Sequence, residues 1–473
     1  MFTPLEKNAE FIRRPANYKA KGGLMPPLEN SLVRERSSLT GFKIHELAAS
    51  TGGKIISGAS DVCATGISID SRTAKAGEAF LALKGDNFDG HDFIHSAQKK
   101  GVICVIKEKG KGNFKPGKCA CLEVKDSIKA LGMIANFHRR KFNIPVIAIT
   151  GSNGKTTTKE MLAWVLAKKF NVLKTEGTKN NHIGLPLTLL KLKPEHQAAV
   201  VELGSNHFGE IKNLAGICLP NIGLITNIGP SHLEYFKSIE GVLKEKYSLT
   251  ENLSAPGVSL LNADDRFLRE KISKGRKTGF AFSFGSRKNS DFCVTALERS
   301  GIGMKFSVNG RRKMSLRTIG AHNVYNGLAV VSCARILGLS YDEIARRLAD
   351  FEFPAGRLKL RDSGNARFID DTYNSSPISL KHALYALEDF PALGAKIVVM
   401  GDMMELGADK EEFHYEAGKH LARVCDKFIV VGKLAKVAAE AARQNGFDIN
   451  NIYSCGSSDE AREILFSKIA PDK

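Results

Sequence analysis

From Gly41 onward the chain alternates short apolar runs with stretches whose apolar residues recur at helical spacing. The segment "FKIHELAASTGGKII" predicts an amphipathic helix closed by glycines, and "GEAFLALKG" and "GVICVIKE" predict short buried strands. Between those strands "DGHDFIHSAQKKG" predicts a helix with a glycine stop, so residues 41–142 form a small α/β module. A second module, 143–319, opens with the β-branched strand "NIPVIAIT". A glycine-containing turn and the helix "KTTTKEMLAWVLAKKF" follow, with Met161, Leu162, Val165 and Leu166 on one face. "AAVVELG" and "IGLITNI" continue the pattern, and apolar strands alternating with helices imply a parallel sheet covered on both sides. A third module, 320–473, runs from the helix "AHNVYNGLAVVSCARILG" into "ARFIDD", "KIVVMGD" and "KFIVVG", read as buried strands. Residues 1–40, rich in Pro, Asn, Ser and charge, show no periodicity and read as a partly disordered extension. No internal repeat or low-complexity tract interrupts the modules.

Composition adds limits. Hydrophobic residues make up 43% of 473, enough for several real cores. The net charge of +19 suits a protein that handles polyanions, but the chain has no block of five like charges and so no dedicated nucleic-acid tail. Nine scattered cysteines with no CxxC pair fit reduced thiols, and the N-terminus lacks the apolar core of a signal peptide. No apolar stretch approaches the ~18 residues that span a bilayer.

The strongest local signal is "TGSNGKTTT" at 150–158. Gly151 and Gly154 allow a tight turn whose N–H groups point at phosphate oxygens, together with Ser152, Asn153 and Thr157. Lys155 places a cation on the terminal phosphates, the Thr156 hydroxyl can ligate Mg²⁺, and the helix that begins there adds its positive dipole end. The longer GxxxxGK[ST] pattern is not met; this is the shorter GxxGKT form. Such a loop indicates a nucleoside triphosphate and leaves the reaction open.

Further along, "VVELGSNHFGEI", "NIGPSHLEYF", "GVLKEKYS", "GAHNVYNGLA", "PAGRLK", "DDTYNSSPISL" and "VMGDMMELG" occur in this order. With the short loop, this series resembles the Mur ligases from about Gly41 to the end. The resemblance implies an α/β, three-domain architecture: a UDP-sugar-binding domain, a central P-loop ATPase with a parallel sheet, and a Rossmann-like C-terminal domain. It also implies an ATP-dependent, amide-forming ligase of peptidoglycan precursor synthesis. "GDMMELG" and "DDTYNSSP" favour UDP-N-acetylmuramoyl-tripeptide and D-alanyl-D-alanine as substrates. A cytoplasmic, monomeric enzyme with no membrane span and no nucleic-acid partner is expected.

Residue by residue, the resemblance makes Glu202 a Mg²⁺ ligand with Thr156, His232 a contact to a second Mg²⁺, and Lys246 the lysine that relatives carbamylate. Lys244 lies two positions away as the competing choice. Asn323 and Asn326 match adenine-binding asparagines, and Arg357 matches an arginine that reaches the γ-phosphate. Asp371, Tyr373 and Asn374 line the nucleotide side of the same cleft. Ser71, Arg72, Asn87, Asp89 and His91 are assigned to the UDP-sugar, and Asn180 and Asn181 to the sugar or peptide. Each has a plain structural alternative: a strand-end cap for Glu202, a satisfied core histidine for His232, helix capping for Asn323, and an ordinary surface turn for 87–91.

Two features depart from the resemblance: the extension before Gly41, and the end at "FSKIAPDK", where relatives continue with a strand and a "KGSR"-like segment. The last strand of the C-terminal sheet is therefore expected to be missing. Three rival readings have less behind them. Another Mur or folylpolyglutamate-type ligase would differ only in its amino-acid pocket. A regulatory GTPase would need the absent NKxD motif, and a nucleic-acid binder would need a recognition module that the chain lacks.

Overall fold

The computed structural model describes residues 41–274, 279–364 and 366–469; the 1–40 extension lies outside the described residues. Three α/β units follow one another, as expected.

In the first unit a five-stranded sheet runs in the order Lys54–Ser57, Ala120–Val124, Cys104–Glu108, Ala79–Leu81, Ile67–Ser68. Its core joins Leu81, Ile106 and Leu122 to Ile44 and Leu47 of one helix and Leu131 and Ile134 of another. The Ser127–Arg140 helix begins where the Asp126 carboxylate accepts from Lys129 N–H, satisfying an otherwise orphaned donor. The expected helix at 90–100 is split into a 3₁₀ turn, Gly90–Phe93, and a short helix, Ile94–Lys99.

The central unit holds a nine-stranded sheet, of which Val172–Lys174, Ala198–Glu202, Val146–Thr150, Ile222–Ile225, Val258–Asn262 and Phe280–Gly285 form a parallel block in that spatial order. Every residue of Val146–Thr150 and Ala198–Glu202 is buried, as the near-continuous apolar runs require. The chain steps outward from Val146–Thr150 to one side and later to the other, so a topological switch point lies at that strand's C-terminal end, the usual ligand crevice of an open parallel sheet.

Two details go beyond the sequence reading. Phe292–Ser300 joins the block parallel to Phe280–Gly285, and Gly303–Val308 and Lys313–Leu316 then extend the sheet antiparallel, with Met304, Phe306, Met314 and Leu316 turned inward. The central core also does not stop at 319. Val324, Leu328 and Val331, with Ile344, Leu348, Phe351 and Phe353, pack in one cluster with Ile147, Ile149 and Leu162, so the packing carries this unit through Phe353.

The last unit has a three-stranded parallel sheet, Ile397–Gly401, Lys427–Val431 and Ile452–Cys455, packed with Leu421, Ala438 and Ala442 from its helices. "ARFIDD", expected to be buried, is instead one arm of a hairpin with Lys359–Ser363 in which no residue is fully buried. It pairs on one side only, which leaves Arg367 free to pair with Asp362 across the hairpin. Among the described residues no helix is long and apolar enough to cross a membrane. All nine cysteines are free, and only Cys63 is exposed, with Cys119 half-buried. Burial pushes the Cys218 and Cys425 thiols up to about 12.

Candidate active site

The 151–154 loop leaves the central strand at the switch point and leads into the Lys155–Leu166 helix. Its backbone demands glycine twice. Gly151 has φ 145° and a Cβ there would sit 2.0 Å from Thr226 Oγ1; Gly154 has φ 81° and its Cβ would sit 2.4 Å from Asn326 Oδ1. The loop is fixed from below. Asn153 N–H donates to Asn227 Oδ1 at 2.9 Å, Thr226 Oγ1 donates to the Asn153 carbonyl at 2.5 Å, and Ser152 Oγ donates to the Gly229 carbonyl at 2.9 Å. Thr157 is buried just inside the helix. Lys155 curls back and donates to the carbonyls of Gly151 at 2.8 Å and Ser152 at 3.1 Å.

Around the Lys155 ammonium four more charged or titratable groups converge. Glu202 and Arg357 interact with it electrostatically, Lys246 with it, and His232 with both lysines. Glu202 is 1% exposed at the end of its strand; Oε1 accepts from Asn180 Nδ2 at 2.7 Å, while Oε2 is buried without a hydrogen-bond partner. Lys246 is 1% exposed, and burial with the neighbouring Lys155 pushes its amine down to about 7. Lys244, the competing choice, is exposed. His232 has φ 51° and faces the Glu405 carboxylate of the C-terminal unit; burial lowers its pKa.

These residues fit a divalent cation. The Glu202 Oε2 oxygen is buried with no hydrogen-bond partner and with its nearest cation, Lys159 Nζ, at 4.0 Å, and magnesium takes oxygen ligands of this kind. Among the described residues no three His, Cys, Asp or Glu side chains cluster as a ready metal site.

The C-terminal unit closes over the loop. Arg357 Nη2 donates to Thr156 Oγ1 at 3.3 Å, and its guanidinium stacks 3.8 Å from the Tyr373 ring centre. Asp371 accepts from Leu358 N–H at 3.1 Å, and burial pushes its carboxyl up to about 6. Asn374 is exposed beside them. Asn323 and Asn326 form a buried chain behind the loop: Asn323 Nδ2 donates to Thr318 Oγ1, Asn326 Nδ2 to Asn323 Oδ1, and Thr158 Oγ1 to Asn326 Oδ1, at 3.0, 2.9 and 3.3 Å.

The N-terminal candidates form a separate group; no hydrogen bond or ion pair among the described residues joins them to this centre. Arg72 is held by Asp70, at 3.0 Å from Nε and 2.8 Å from Nη2, and this pairing lowers Asp70 to about 2. Ser71 is buried, and Asn87 is exposed next to Phe88. His91 is engaged within the protein: Nδ1 lies 2.6 Å from Asp89 Oδ1, Nε2 accepts from Glu108 N–H at 3.1 Å, and the residue is 3% exposed. Asn181 is likewise used in capping, its Oδ1 accepting from Ile183 and Gly184 N–H.

The sequence reading missed three residues. Lys159, wholly buried, donates to the Thr175 and Gly177 carbonyls at 2.8 and 2.7 Å and lies 4.0 Å from Glu202 Oε2. It reads as an ordinary polar helix position. Ser376 caps the Pro377–Glu388 helix and donates to Asn153 Oδ1 at 3.1 Å; its Ser-Pro pair was the available signal. Glu405 stands in "GDMMELG", a motif quoted without a role for that residue.

Three family profiles match the chain: one described as Mur ligase family, catalytic domain, at 64–139; Mur ligase middle domain at 149–334; and Mur ligase, glutamate ligase domain, at 356–473. The UDP-N-acetylmuramoyl-tripeptide–D-alanyl-D-alanine ligase of Bacillus subtilis is 35% identical over 381 residues, 80% of this chain and 82% of the relative. The Escherichia coli ligase of the same name is 34% identical, covering 81% and 84%. A crystal structure of MurF from Acinetobacter baumannii superposes with TM-score 0.82 at 33% identity, covering 92% of this chain and 93% of that one. MurF ligase from Thermotoga maritima in complex with ADP superposes with TM-score 0.75 at 28% identity, covering 85% and 91%.

Proposed function

The chain belongs to the Mur ligase family, and from that premise we propose that it joins UDP-N-acetylmuramoyl-tripeptide to D-alanyl-D-alanine at the expense of ATP. The observation that carries this reading is the meeting of Lys155, Arg357, Lys246 and the orphaned Glu202 oxygen at one phosphate-binding loop.

The reaction brings two anions together. A tripeptide carboxylate oxygen attacks the γ-phosphorus of ATP, ADP leaves, and an acyl phosphate forms. The dipeptide amine then attacks the acyl carbon, loses a proton, and phosphate departs. Such chemistry asks for positioning and positive charge rather than a protein nucleophile. Lys155 supplies that charge from within the loop, and Arg357 from the side of the C-terminal unit, where Thr156 and Tyr373 orient its guanidinium. The N–H groups at the start of the Lys155–Leu166 helix face the phosphates, while Asn326 and Asn323 back the loop on the side assigned to adenine. Ser71, Arg72 and Asn87 remain the candidates for the UDP end.

Thr156, Glu202, His232 and a carbamylated Lys246 would hold magnesium, which when bound screens the negative charges of phosphate and carboxylate. Carbamylation needs a neutral amine, and an amine that titrates near 7 is neutral far more often than an ordinary lysine. It also turns a repelled cation into an anionic oxygen donor. Labelled bicarbonate incorporated at Lys246, and lost in Lys246→Ala, tests this point. We divide the chain into 41–142 for the UDP-sugar, 143–353 for ATP, and the remainder for the amine substrate. A monomer in the cytoplasm suits substrates drawn from intracellular nucleotide pools.

The decisive assay is phosphate release from ATP, with and without each of the two other substrates. Release that requires both supports the reading, and release indifferent to both refutes it.

A further inference from the structure

The stretch from Thr175 to Asn180 grips the end of the Ala198–Glu202 strand at three points. Thr175 Oγ1 accepts from Glu202 N–H at 3.1 Å, Asn180 Nδ2 donates to Glu202 Oε1 at 2.7 Å, and the Asn180 carbonyl accepts from Gly204 N–H at 2.9 Å. Residues 175–183 follow the edge strand Val172–Lys174 and belong to no helix or strand, so no regular ladder fixes them. Something else must hold the stretch still if it is to hold Glu202.

That group is Lys159, wholly buried one turn along the Lys155–Leu166 helix from Lys155. A buried ammonium is tolerated when its three protons find acceptors. Here the set is complete: the Thr175 carbonyl at 2.8 Å, the Gly177 carbonyl at 2.7 Å and Glu160 Oε1 at 2.7 Å. Glu160 is also paired with Lys174. No proton is left for the fourth neighbour, Glu202 Oε2 at 4.0 Å, which has no hydrogen-bond partner. Lys159 therefore leaves that oxygen open, and its hold on Glu202 runs through the backbone it pins.

We propose that Lys159 is a positioning residue for the reaction: by pinning the Thr175 and Gly177 carbonyls it sets Asn180, and Asn180 sets the Glu202 carboxylate with one oxygen held and the other open to a divalent cation. The assignment rests on the reading of Glu202 as a metal ligand given above. A neutral apolar side chain of the same length would fill the space and leave both carbonyls without a donor.

Three variants test the route. Lys159→Met keeps the length and removes the donors, while Glu160 retains Lys174. Gly177→Val acts from the surface: Gly177 is exposed at φ 52°, a Cβ there meets nothing within 4 Å, and a β-branched residue resists that conformation, so the carbonyl swings off Lys159 with the core untouched. Asn180→Ala is the reference. Mn²⁺ uptake is titrated by electron paramagnetic resonance with ADP present, against an ADP blank and without turnover, and hydrogen exchange of amides 175–183 is followed on the same proteins. Lys159→Met and Gly177→Val are each expected to weaken Mn²⁺ binding about tenfold or more and to speed exchange in this stretch. The double variant Lys159→Met/Asn180→Ala should bind Mn²⁺ no more weakly than Asn180→Ala alone, because both changes lie on one route to Glu202. Effects that multiply in the double variant overturn the proposal, as does wild-type Mn²⁺ affinity in either Lys159→Met or Gly177→Val. Should Lys159→Met fail to fold, Gly177→Val decides. Wild-type protein that takes up no Mn²⁺ would instead refute the metal role of Glu202 itself.

Discussion

Replacing Lys246 with methionine should make the protein more stable and inactive at once. The Lys246 side chain is 1% exposed in the Ile239–Glu251 helix and makes no hydrogen bond or ion pair with a described residue. Burial and the Lys155 charge bring its pKa from 10.5 to about 7. An unfolded chain carries that amine protonated at neutral pH, so folding works against the proton. At about 1.4 kcal/mol per pH unit, the gap sets a ceiling of ~5 kcal/mol at pH 7. Methionine keeps an unbranched shape and has no charge to desolvate. Because the folded-state pKa lies below the unfolded one, the unfolded chain binds more protons between pH 7 and 10.5. Wild-type stability therefore rises with pH through that window, while the variant lacks the effect. Its advantage should shrink by about 2 kcal/mol between pH 7 and 9. Trp164, the only tryptophan, lies in the Lys155–Leu166 helix under Arg347, so its fluorescence reports unfolding of the central unit. For a unit of some 200 residues, about 1 kcal/mol moves Tm by roughly 2–4 °C. The melts are run free of nucleotide, metal and carbon dioxide. A difference that stays constant from pH 7 to 9, or a variant less stable than wild type at pH 7, would refute the account of a desolvated free amine.

Three further outcomes are expected. Gly154→Ala forces alanine to φ 81° and a Cβ to 2.4 Å from Asn326 Oδ1, a conformation that costs about 1–2 kcal/mol before the clash; KM for ATP should rise at least tenfold in steady-state assays, with dipeptide KM unchanged. Asn180→Ala frees Glu202 Oε1, so the magnesium concentration for half-maximal activity should climb by roughly 10–100-fold while the melting temperature hardly moves. His91→Leu removes the ring partner of Asp89, which keeps only the residue-91 backbone N–H, and leaves the Glu108 N–H without one; it should cost about 1–3 kcal/mol in denaturant titrations yet alter KM for the UDP substrate little, whereas a large KM effect at unchanged stability would make His91 a ligand contact.

The sequence was most legible where one physical demand dominates. A fully buried parallel strand must be apolar throughout, and a phosphate loop must carry glycine at fixed positions, so Val146–Thr150 and the 151–154 turn could be read directly. Family resemblance chose Lys246 over Lys244, and burial supports that choice. Legibility was lowest where a polar side chain has two possible uses. His91 and Asn181 look alike as ligand contacts or as local hydrogen-bond partners, and only the coordinates reveal Glu108 N–H or Gly184 N–H waiting for them. Lys159 left no trace, because a lysine among helix polar positions looks solvated until the Thr175 and Gly177 carbonyls close round it. The extent of the central packing was hidden for a related reason. The apolar faces of His322–Ile336 and Tyr341–Ala349 announce burial but not the sheet they are buried on.

The placement of the thiols bears on how chemical probing should be interpreted. Seven of the nine cysteines are buried, and none lies among the groups assigned to the reaction. A maleimide or similar electrophile should therefore tag Cys63 first, at the edge of the N-terminal lobe. Such a tag would give a single-dye handle for watching that lobe move, and slow activity loss under harsher alkylation would signal opening of the cores rather than a nucleophilic sulfur.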